Sequence, residues 1–463
     1  MNESLQDKKV VIMGLGLHGG GLASALYCAK KGAKLLITDL RDEKTLSPSM
    51  NKLKDWPVEY ILGEHRIKDF EEADMVIKNP GVRVDSPFLL SAKRIETDIS
   101  LFLAQVKNPI LAVTGSKGKS STVSALHAIL KRVWPNAKLG GNITVSPLTF
   151  LEDLKDDPHS PIVLELSSWQ LADLRGRNLL KPRVSVITNI MNDHLNAYGS
   201  LEAYVEDKRE IYRGQDDHDW TLVNLDDPYG ESFLSQSKAR IAGLSLEEHR
   251  PPHPGTEAWI TLSGKEGLIA WEGKKISLLP EKLQIPGKAF LQNCLTAGAM
   301  AALFGVAGPV IREALGDFIG IPHRMEKFLT WKGIDFYNDT AATIPEAACA
   351  SYMALEGKVR WLTGGTDKNL DLESYRMLTK QPSKLVLLGG SATQRLIPIL
   401  QEKAWIFEGP FTTIKEAVEE LLRDIQSNET VILSPGAASF ELFKNEFDRG
   451  DQFKAQVRSQ TGN

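Results

Sequence analysis

The sequence predicts an α/β protein built from three consecutive domains, each organised around a mainly parallel sheet. Short runs rich in β-branched residues alternate with helical stretches along the whole chain, a pattern typical of parallel strands covered by helices. The length of 463 residues exceeds what one hydrophobic core holds, so domains of about 150 residues are expected. We predict domain boundaries that divide the chain into residues 1–104, 105–321 and 322–463.

The first domain opens with "KVVIMGLGLHGGG" and continues through "AKLLITDLR" and "ADMVIKNPGV". Gly14, Gly16 and Gly19 follow the first strand in the spacing G-x-G-x-x-G, and Asp39 ends the second. This fingerprint predicts a Rossmann-like domain whose glycines let a diphosphate approach the backbone. It leaves open an NAD site, another nucleotide diphosphate, or glycines that only permit tight strand–helix packing.

The second domain contains "PILAVTG", "PIVLELSS" and "RVSVITNI", three apolar runs that stop abruptly at small or polar residues. Carboxyl ends of parallel strands share one sheet edge, where ligands bind. Lys119, Glu165 and His194 can therefore converge despite their separation in sequence. The later segment "AWITLSGKEGLIAWEGKKISLL" indicates a hairpin-like addition.

"TGSKGKSS" supplies what a phosphate-binding loop needs. Gly115 and Gly118 allow close backbone approach, Lys119 brings positive charge, and Ser120 brings a hydroxyl for magnesium. Val113 stands where the standard pattern has a glycine, which predicts a shorter loop in a P-loop ATPase-like central domain. A plain strand–turn–helix is the alternative.

The third domain repeats the pattern in "VRWLTGGTDK", "KLVLLGGSA" and "TVILSPGAAS". We predict a Rossmann-like domain whose loops face a second substrate.

Composition narrows the function classes. A net charge of -4 provides no basic field for nucleic acid. The stretch "LQNCLTAGAMAALFGVAGPVI" approaches membrane-span length but contains polar residues and stops at Gly-Pro, so we expect a buried helix. The three cysteines have no ligand-like spacing. We therefore expect a cytoplasmic protein with no nucleic-acid partner and no membrane insertion.

Taken in order, "TGSKGKS", "ELSSWQ", "NDHLNAYGSLEAYVEDK", "IPHRME" and "NDTAATIPEA" resemble the ATP-dependent Mur ligases of peptidoglycan synthesis. "GLGLHG", "NPGV", "ETDISLF" and "LSPGAASFELFKNEFDRGDQF" resemble the MurD branch. The resemblance implies a monomer that adds D-glutamate to UDP-N-acetylmuramoyl-L-alanine through an acyl phosphate, with ATP and two Mg²⁺ ions. It assigns the UDP substrate to the first domain, ATP to the second and glutamate to the third.

The same resemblance implies roles for individual positions. The catalytic set is Lys119, Glu165, His194 and Lys208. The metal ligands are Ser120, Glu165, His194 and Lys208, the last as a carbamate, whose anionic oxygens suit magnesium. The ATP positions are Thr114, Gly115, Ser116, Lys117, Gly118, Lys119, Ser120, Ser121, Asn293, Arg324 and Asp339. The UDP-substrate positions are Leu17, His18, Asp39, Arg41, Gly81, Asn142, Gln170 and His194. The glutamate positions are Thr343, Lys368 and Ser439.

Four departures from the family pattern bear on detail. Ala289 and Phe290 replace the usual His-Asn pair, Asn196 replaces an acid, and His18 replaces a threonine. Ala341 replaces a common lysine near the incoming amino acid, which opens the alternative of a related ligase that adds L-glutamate or another amino acid to a UDP-MurNAc or folate-type acceptor. An NAD-linked oxidoreductase and a nucleotide-binding regulatory protein are the alternatives from other classes.

Overall fold

A computed structural model describes residues 4–17, 19–83, 85–191, 200–247, 250–264 and 266–462. Three sheets form in chain order, and helices alternate with their parallel strands. The predicted α/β class with three consecutive domains is therefore confirmed. The chain divides into two compact units, one of Met1–Glu281 with Asn293–Leu315 and one of Lys282–Gln292 with Gly316–Asn463.

The N-terminal sheet is parallel throughout, with the order β3-β2-β1-β4-β5 in the described residues. Its strands end at the loops that the sequence singles out. The buried apolar residues of the strands give way there to glycine, asparagine and aspartate. The strands are β1 Lys9–Met13, β2 Lys34–Asp39, β3 Val58–Leu62, β4 Met75–Lys78 and β5 Ile95–Glu96. The helices are α1 Gly20–Lys30, α2 Glu43–Met50, α3 Ile67–Glu72, α4 Pro87–Leu90 and α5 Asp98–Leu103.

The central sheet runs β14-β13-β12-β11-β10-β9-β6-β8-β7 and is parallel from β7 to β12. Strands β12, β13 and β14 are antiparallel, as the hairpin-like segment predicted. Its strands are β6 Ile110–Thr114, β7 Lys138–Gly141, β8 Ile162–Glu165, β9 Val184–Ile187, β10 Trp220–Asn224, β11 Arg240–Ser245, β12 Ala258–Ser263, β13 Glu266–Trp271 and β14 Lys274–Ser277.

The helices associated with this sheet are α6 Lys119–Lys131, α7 Ser168–Ala172, α8 Leu201–Lys208, α9 Glu210–Arg213, α10 Gly230–Gln236, α11 Lys288–Leu303 and α12 Gly308–Asp317. The apolar stretch of near membrane-span length, residues 291–311, forms most of α11 and the start of α12. The residues of α11 from Cys294 to Ala302 are buried. In the described part of the chain, no helix is long and apolar enough to cross a membrane.

The C-terminal sheet has the order β15-β16-β20-β17-β18-β19. Only β15 runs antiparallel to its neighbour among the described pairs. The strands are β15 Glu326–Trp331, β16 Ile334–Asn338, β17 Lys358–Thr363, β18 Lys384–Leu388, β19 Glu408–Phe411 and β20 Glu429–Leu433. The helices are α13 Pro345–Met353, α14 Glu373–Met377, α15 Ser391–Glu402, α16 Ile414–Leu422 and α17 Glu446–Thr461.

Apolar packing follows these layers. One buried cluster runs from the N-terminal sheet into the central sheet, through residues such as Ile12, Phe102, Phe150 and Leu164. Two further clusters cover the two faces of the C-terminal sheet and include Trp361 on one face and Phe336 on the other. Because the first two sheets share a continuous core, they hold the loops at their edges in a defined relation.

Candidate active site

The phosphate loop connects β6, which ends at Thr114, to α6, which begins at Lys119. Gly118 precedes the helix with a left-handed φ of 85°. A Cβ at Gly115 would lie 1.9 Å from Thr188 Oγ1, so only glycine fits there without a shift. The left-handed turn therefore requires Gly118, and the close approach of the segment after β9 requires Gly115. Both are glycines that the sequence singled out.

Two residues directly after β9 hold the loop. The main-chain N–H of Lys117 donates to Asn189 Oδ1 at 2.9 Å, and the Ser116 N–H donates to the Asn189 carbonyl at 2.9 Å. Thr188 Oγ1 donates to the Lys117 carbonyl at 2.6 Å. Sequence reasoning missed Thr188 and Asn189, although polar residues directly after a buried strand are the signal that identified Glu165.

Lys119 and Lys208 converge on one atom. Lys119 Nζ donates to the Gly115 carbonyl at 2.8 Å, and Lys208 Nζ donates to the same oxygen at 3.0 Å. Lys208 also donates to Thr114 Oγ1 at 3.2 Å, and its ammonium lies 4.5 Å from the Tyr204 ring centroid. Lys208 is 1% exposed. The fold therefore brings two cations to the phosphate loop from helices α6 and α8.

Glu165 ends β8, which pairs with β6 so that Glu165 lies beside Val113. Its Oε1 accepts a hydrogen bond from Asn142 Nδ2 at 2.9 Å. Its Oε2 is buried and has no hydrogen-bond partner in the described residues. A buried carboxylate oxygen without a donor is rare. Such an anionic oxygen has the chemistry that a hard divalent cation selects. The Ser120 hydroxyl lies in the first turn of α6.

A cavity of about 450 Å³ is lined both by residues near the phosphate loop and by residues at the edge of the N-terminal sheet. We call it the acceptor cavity. The predicted residues Lys119, Lys208, Asn142, Gln170 and Gly81 all line it. Sequence reasoning did not assign the other lining residues, which include Asn79, Asp98, Ser167 and Trp169.

Asp98 and Gln170 show how helix ends shape that cavity. Asp98 begins α5 and is buried, and this burial raises the pKa of its carboxyl. Gln170 caps α7 reciprocally with Ser167, whose main-chain N–H donates to Gln170 Oε1 at 3.0 Å. The motifs "ETDIS" and "ELSSWQ" therefore place polar helix starts at the cavity wall.

In the N-terminal loop, Asp39 has both carboxylate oxygens engaged by backbone amides. Oδ2 accepts from the Gly16 N–H at 3.2 Å, and Oδ1 accepts from the Arg41 N–H at 3.0 Å. Leu17 is 47% exposed, and Arg41 is also exposed. His18 lies outside the described residues. Asp39 therefore fixes the shape of the loop, and the exposed Leu17 and Arg41 remain available to a ligand.

Of the remaining residues near the predicted ATP site, the structure describes Asn293 and Ser121. Asn293 lies against the phosphate loop, since a Cβ on Gly118 would come within 2.5 Å of Asn293 Oδ1. Ser121 lies in the first turn of α6. His194 and Asn196 lie outside the described residues.

In the C-terminal unit, Asp339 is buried after β16. Ser434 Oγ donates to its Oδ2 at 2.7 Å, and the Met325 N–H donates to its Oδ1 at 3.0 Å. Burial raises the pKa of Asp339 to about 6. The carboxylate therefore anchors the segment that carries Arg324, while Asp339 as a direct ATP contact stays a prediction.

The glutamate-site residues lie in three loops at the carboxyl ends of adjacent strands. Thr343 follows β16, Lys368 follows β17 and Ser439 follows β20. Two hydrogen bonds of 3.0 Å between the backbones of Thr366 and Ala438 tie two of these loops together. Ser439 Oγ is buried without a hydrogen-bond partner in the described ranges, and Lys368 is exposed. A hydroxyl and a cation are thus brought to one sheet edge.

Comparisons with known proteins agree with this arrangement. Residues 8–100 match the family model of the Mur ligase MurD-like N-terminal domain, and residues 113–301 match that of the Mur ligase middle domain. The chain is 40% identical to the UDP-N-acetylmuramoylalanine--D-glutamate ligase of Treponema pallidum, over 98% of each chain. It is 35% identical to the enzyme of that name from Roseiflexus sp., over 99% of this chain and 100% of the relative.

Solved structures share the fold at lower identity. UDP-N-acetylmuramate-alanine ligase MurC from Thermotoga maritima is 19% identical with a TM-score of 0.59, over 98% of this chain and 100% of that one. MurF from Acinetobacter baumannii is 18% identical with a TM-score of 0.57, over 97% and 93%. The near-complete coverage by named relatives, together with both domain matches, means that this chain belongs to the Mur ligase family, on its MurD-like branch.

Proposed function

We propose that this protein is an ATP-dependent ligase that joins D-glutamate to UDP-N-acetylmuramoyl-L-alanine during cytoplasmic synthesis of peptidoglycan precursors. The observation that carries the proposal is the acceptor cavity, where Lys119 and Lys208 of the phosphate loop region share one space with Gly81, Asn142 and Gln170. An acceptor held there has its reacting end beside the nucleotide loop. The names of the full-length relatives support this choice of substrates.

The reaction has three steps. A carboxylate oxygen of the acceptor attacks the γ-phosphorus of ATP, which gives an acyl phosphate and ADP. The amine of glutamate then attacks the acyl carbon and loses a proton. The tetrahedral intermediate collapses to the amide and releases phosphate. Lys119 neutralises charge on the transferred phosphoryl group, and the amides of the glycine loop hold the nucleotide phosphates.

We assign two Mg²⁺ ions to Ser120, Glu165, His194 and a carbamylated Lys208. Oε2 of buried Glu165 has no hydrogen-bond partner in the part of the chain that the structure describes, which supports a cation at that position. When bound, the ions neutralise phosphate charge and polarise the transferred group. Asn142 keeps the Glu165 carboxylate oriented through its 2.9 Å hydrogen bond to Oε1.

The remaining predicted residues divide between the other substrates. Leu17, His18, Asp39, Arg41 and Gly81 surround the UDP group in the first domain. Arg324 and Asp339 serve ATP from the third domain, and Thr343, Lys368 and Ser439 hold glutamate there. The buried Ser439 hydroxyl has no hydrogen-bond partner among the described residues, which supports a polar ligand at that edge. We propose domain boundaries near residues 104 and 321, and a monomer.

Phosphate release with ATP, Mg²⁺ and UDP-N-acetylmuramoyl-L-alanine tests the proposal, with D-glutamate, L-glutamate and no amino acid compared in parallel. We expect turnover only with D-glutamate. Turnover only with L-glutamate would keep the ligase chemistry and move the specificity question to the loop around Ala341. No release with either amino acid would exclude the proposed reaction.

A further inference from the structure

A second cavity of about 400 Å³ lies beside the acceptor cavity and shares Pro80, Gly81 and Trp169 with it. Lys78 and Asp173 line this second cavity. Neither residue belongs to the predicted site, and neither is needed by the chemistry above. Each of them belongs to a segment that also lines the acceptor cavity, so a contact between them can hold the two segments in place.

Lys78 ends β4 of the N-terminal sheet, and Asp173 directly follows α7 beside the central sheet. Lys78 Nζ lies 2.8 Å from Asp173 Oδ2, and the two side chains are only 2% and 5% exposed. Lys78 Nζ also donates to the Val82 carbonyl at 3.0 Å. One ammonium therefore holds the Asn79–Val82 turn on one side and the end of α7 on the other.

These two elements supply two separate parts of the wall of the acceptor cavity. Pro80 and Gly81 come from the turn, whereas Trp169 and Gln170 come from α7. The turn is further fixed by the Gly81 N–H, which donates to Asn79 Oδ1 at 3.2 Å. The two opposite charges are buried and lie 2.8 Å apart, so their attraction can set the separation of these two wall segments.

We propose that Lys78 and Asp173 form a positioning pair that sets the width of the acceptor cavity and so determines affinity for the UDP-linked acceptor. This inference rests on the proposed function, since it concerns the same acceptor. The two residues act through Gly81, Trp169 and Gln170 and take no part in phosphoryl transfer.

The chemistry of buried ion pairs provides a way to separate positioning from stability. Removal of one partner leaves an uncompensated buried charge and destabilises a protein, whereas replacement of both partners by apolar residues of similar volume usually preserves the fold. A folded double variant therefore retains the packing and loses only the attraction between the two charges.

The experiment compares the wild type, Lys78→Met, Asp173→Asn and the double variant Lys78→Met/Asp173→Leu in the full chain with ATP and Mg²⁺. It measures the thermal midpoint, KM for each of the three substrates, and direct calorimetric binding of UDP-N-acetylmuramoyl-L-alanine without ATP. We expect the double variant to melt near the wild type yet show at least about a tenfold higher KM and Kd for the acceptor. Its KM values for ATP and D-glutamate should stay within about twofold.

Glu96→Gln is the matched control. Glu96 of β5 pairs with Arg177, which follows α7, at 2.6 Å, and this pair also joins the two sheets but lines neither cavity. We expect this variant to lower the thermal midpoint without changing KM for the acceptor.

Recovery of wild-type acceptor affinity in the double variant would overturn the inference, because the pair would then serve stability alone. An equal rise of all three KM values would also overturn it. If the wild type neither binds nor consumes the acceptor, the proposed function fails and the inference falls with it. If the wild type and every variant bind the acceptor equally well, the positioning role of the pair is contradicted and the proposed function stands.

Discussion

Two glycine-rich loops in this chain follow the first strand of a parallel sheet and precede a helix, yet they differ in the charges beside them. Gly19 before α1 and Gly118 before α6 both adopt left-handed φ angles, of 95° and 85°. The central loop has Lys119 and Lys208 at its carbonyls and the free Oε2 of Glu165 nearby. In the N-terminal domain, the carboxylate of Asp39 accepts from the Gly16 amide of the glycine loop and from the Arg41 amide after β2.

The difference teaches that a left-handed glycine and a helix N-terminus make a phosphate cradle but do not by themselves make a catalytic site. Catalysis of phosphoryl transfer requires charges placed where the transition state develops them. The N-terminal loop offers backbone amides for a bound diphosphate, and the central loop adds the Lys119 cation and an oxygen of Glu165 that has no donor among the described residues.

The largest effect should follow from Lys119→Met, which removes a central cation and keeps most of its side-chain volume. We expect kcat to fall about 10³-fold, a loss comparable to removal of a transition-state charge donor. KM for the UDP acceptor should change much less than kcat, because Lys119 is one of many residues that line the acceptor cavity and the N-terminal loop is unchanged. Steady-state phosphate release measures both. A fall below tenfold would mean that the two loops are less different than their charges indicate.

Glu165→Gln should have the next largest effect, because it removes charge from the oxygen without a hydrogen-bond partner and preserves shape. We expect kcat to fall about 10²-fold and half-maximal activity to need more Mg²⁺. A magnesium titration of turnover measures this shift. Asp39→Asn is the matched control in the other loop, and its Mg²⁺ requirement should equal that of the wild type. An unchanged titration for Glu165→Gln would remove the cation from that position.

The smallest effects should come from alanine in the two loops, which tests their separation by substrate. At Gly118 a Cβ would meet Asn293 Oδ1 at 2.5 Å, and at Gly14, where φ is 90°, it would meet Asn79 Cβ at 3.1 Å. Left-handed backbone costs an alanine about 1–2 kcal/mol. We expect Gly118→Ala to raise KM for ATP and Gly14→Ala to raise KM for the UDP acceptor, each about tenfold. Initial-rate kinetics with each substrate varied in turn measure these KM values. A variant that raises KM for the other substrate, or for both substrates equally, would contradict the separation of the two loops.

Much of the site was predictable because strand ends carry their own signal. Lys119 and Glu165 were identified from apolar runs that stop at polar residues, and adjacent parallel strands bring such stops together. Thr188 and Asn189 carry the same signal but were missed, since their role is to hold the Lys117 backbone and no chemical motif marks it. His194 was predicted from the same strand-end signal and from the resemblance; it lies outside the described residues and stays a prediction.

The sequence by itself determined the α/β class, the three successive sheets, the phosphate loop and the family, because periodicity, glycine spacing and ordered motifs are local properties of the chain. Only the tertiary structure decided that Lys119 and Lys208 donate to one carbonyl, that one oxygen of Glu165 lacks a donor, and that Lys78 pairs with Asp173. Those facts depend on distances between residues remote in sequence. Such distances are fixed by strand order and by the core shared between the first two sheets, which no local pattern encodes.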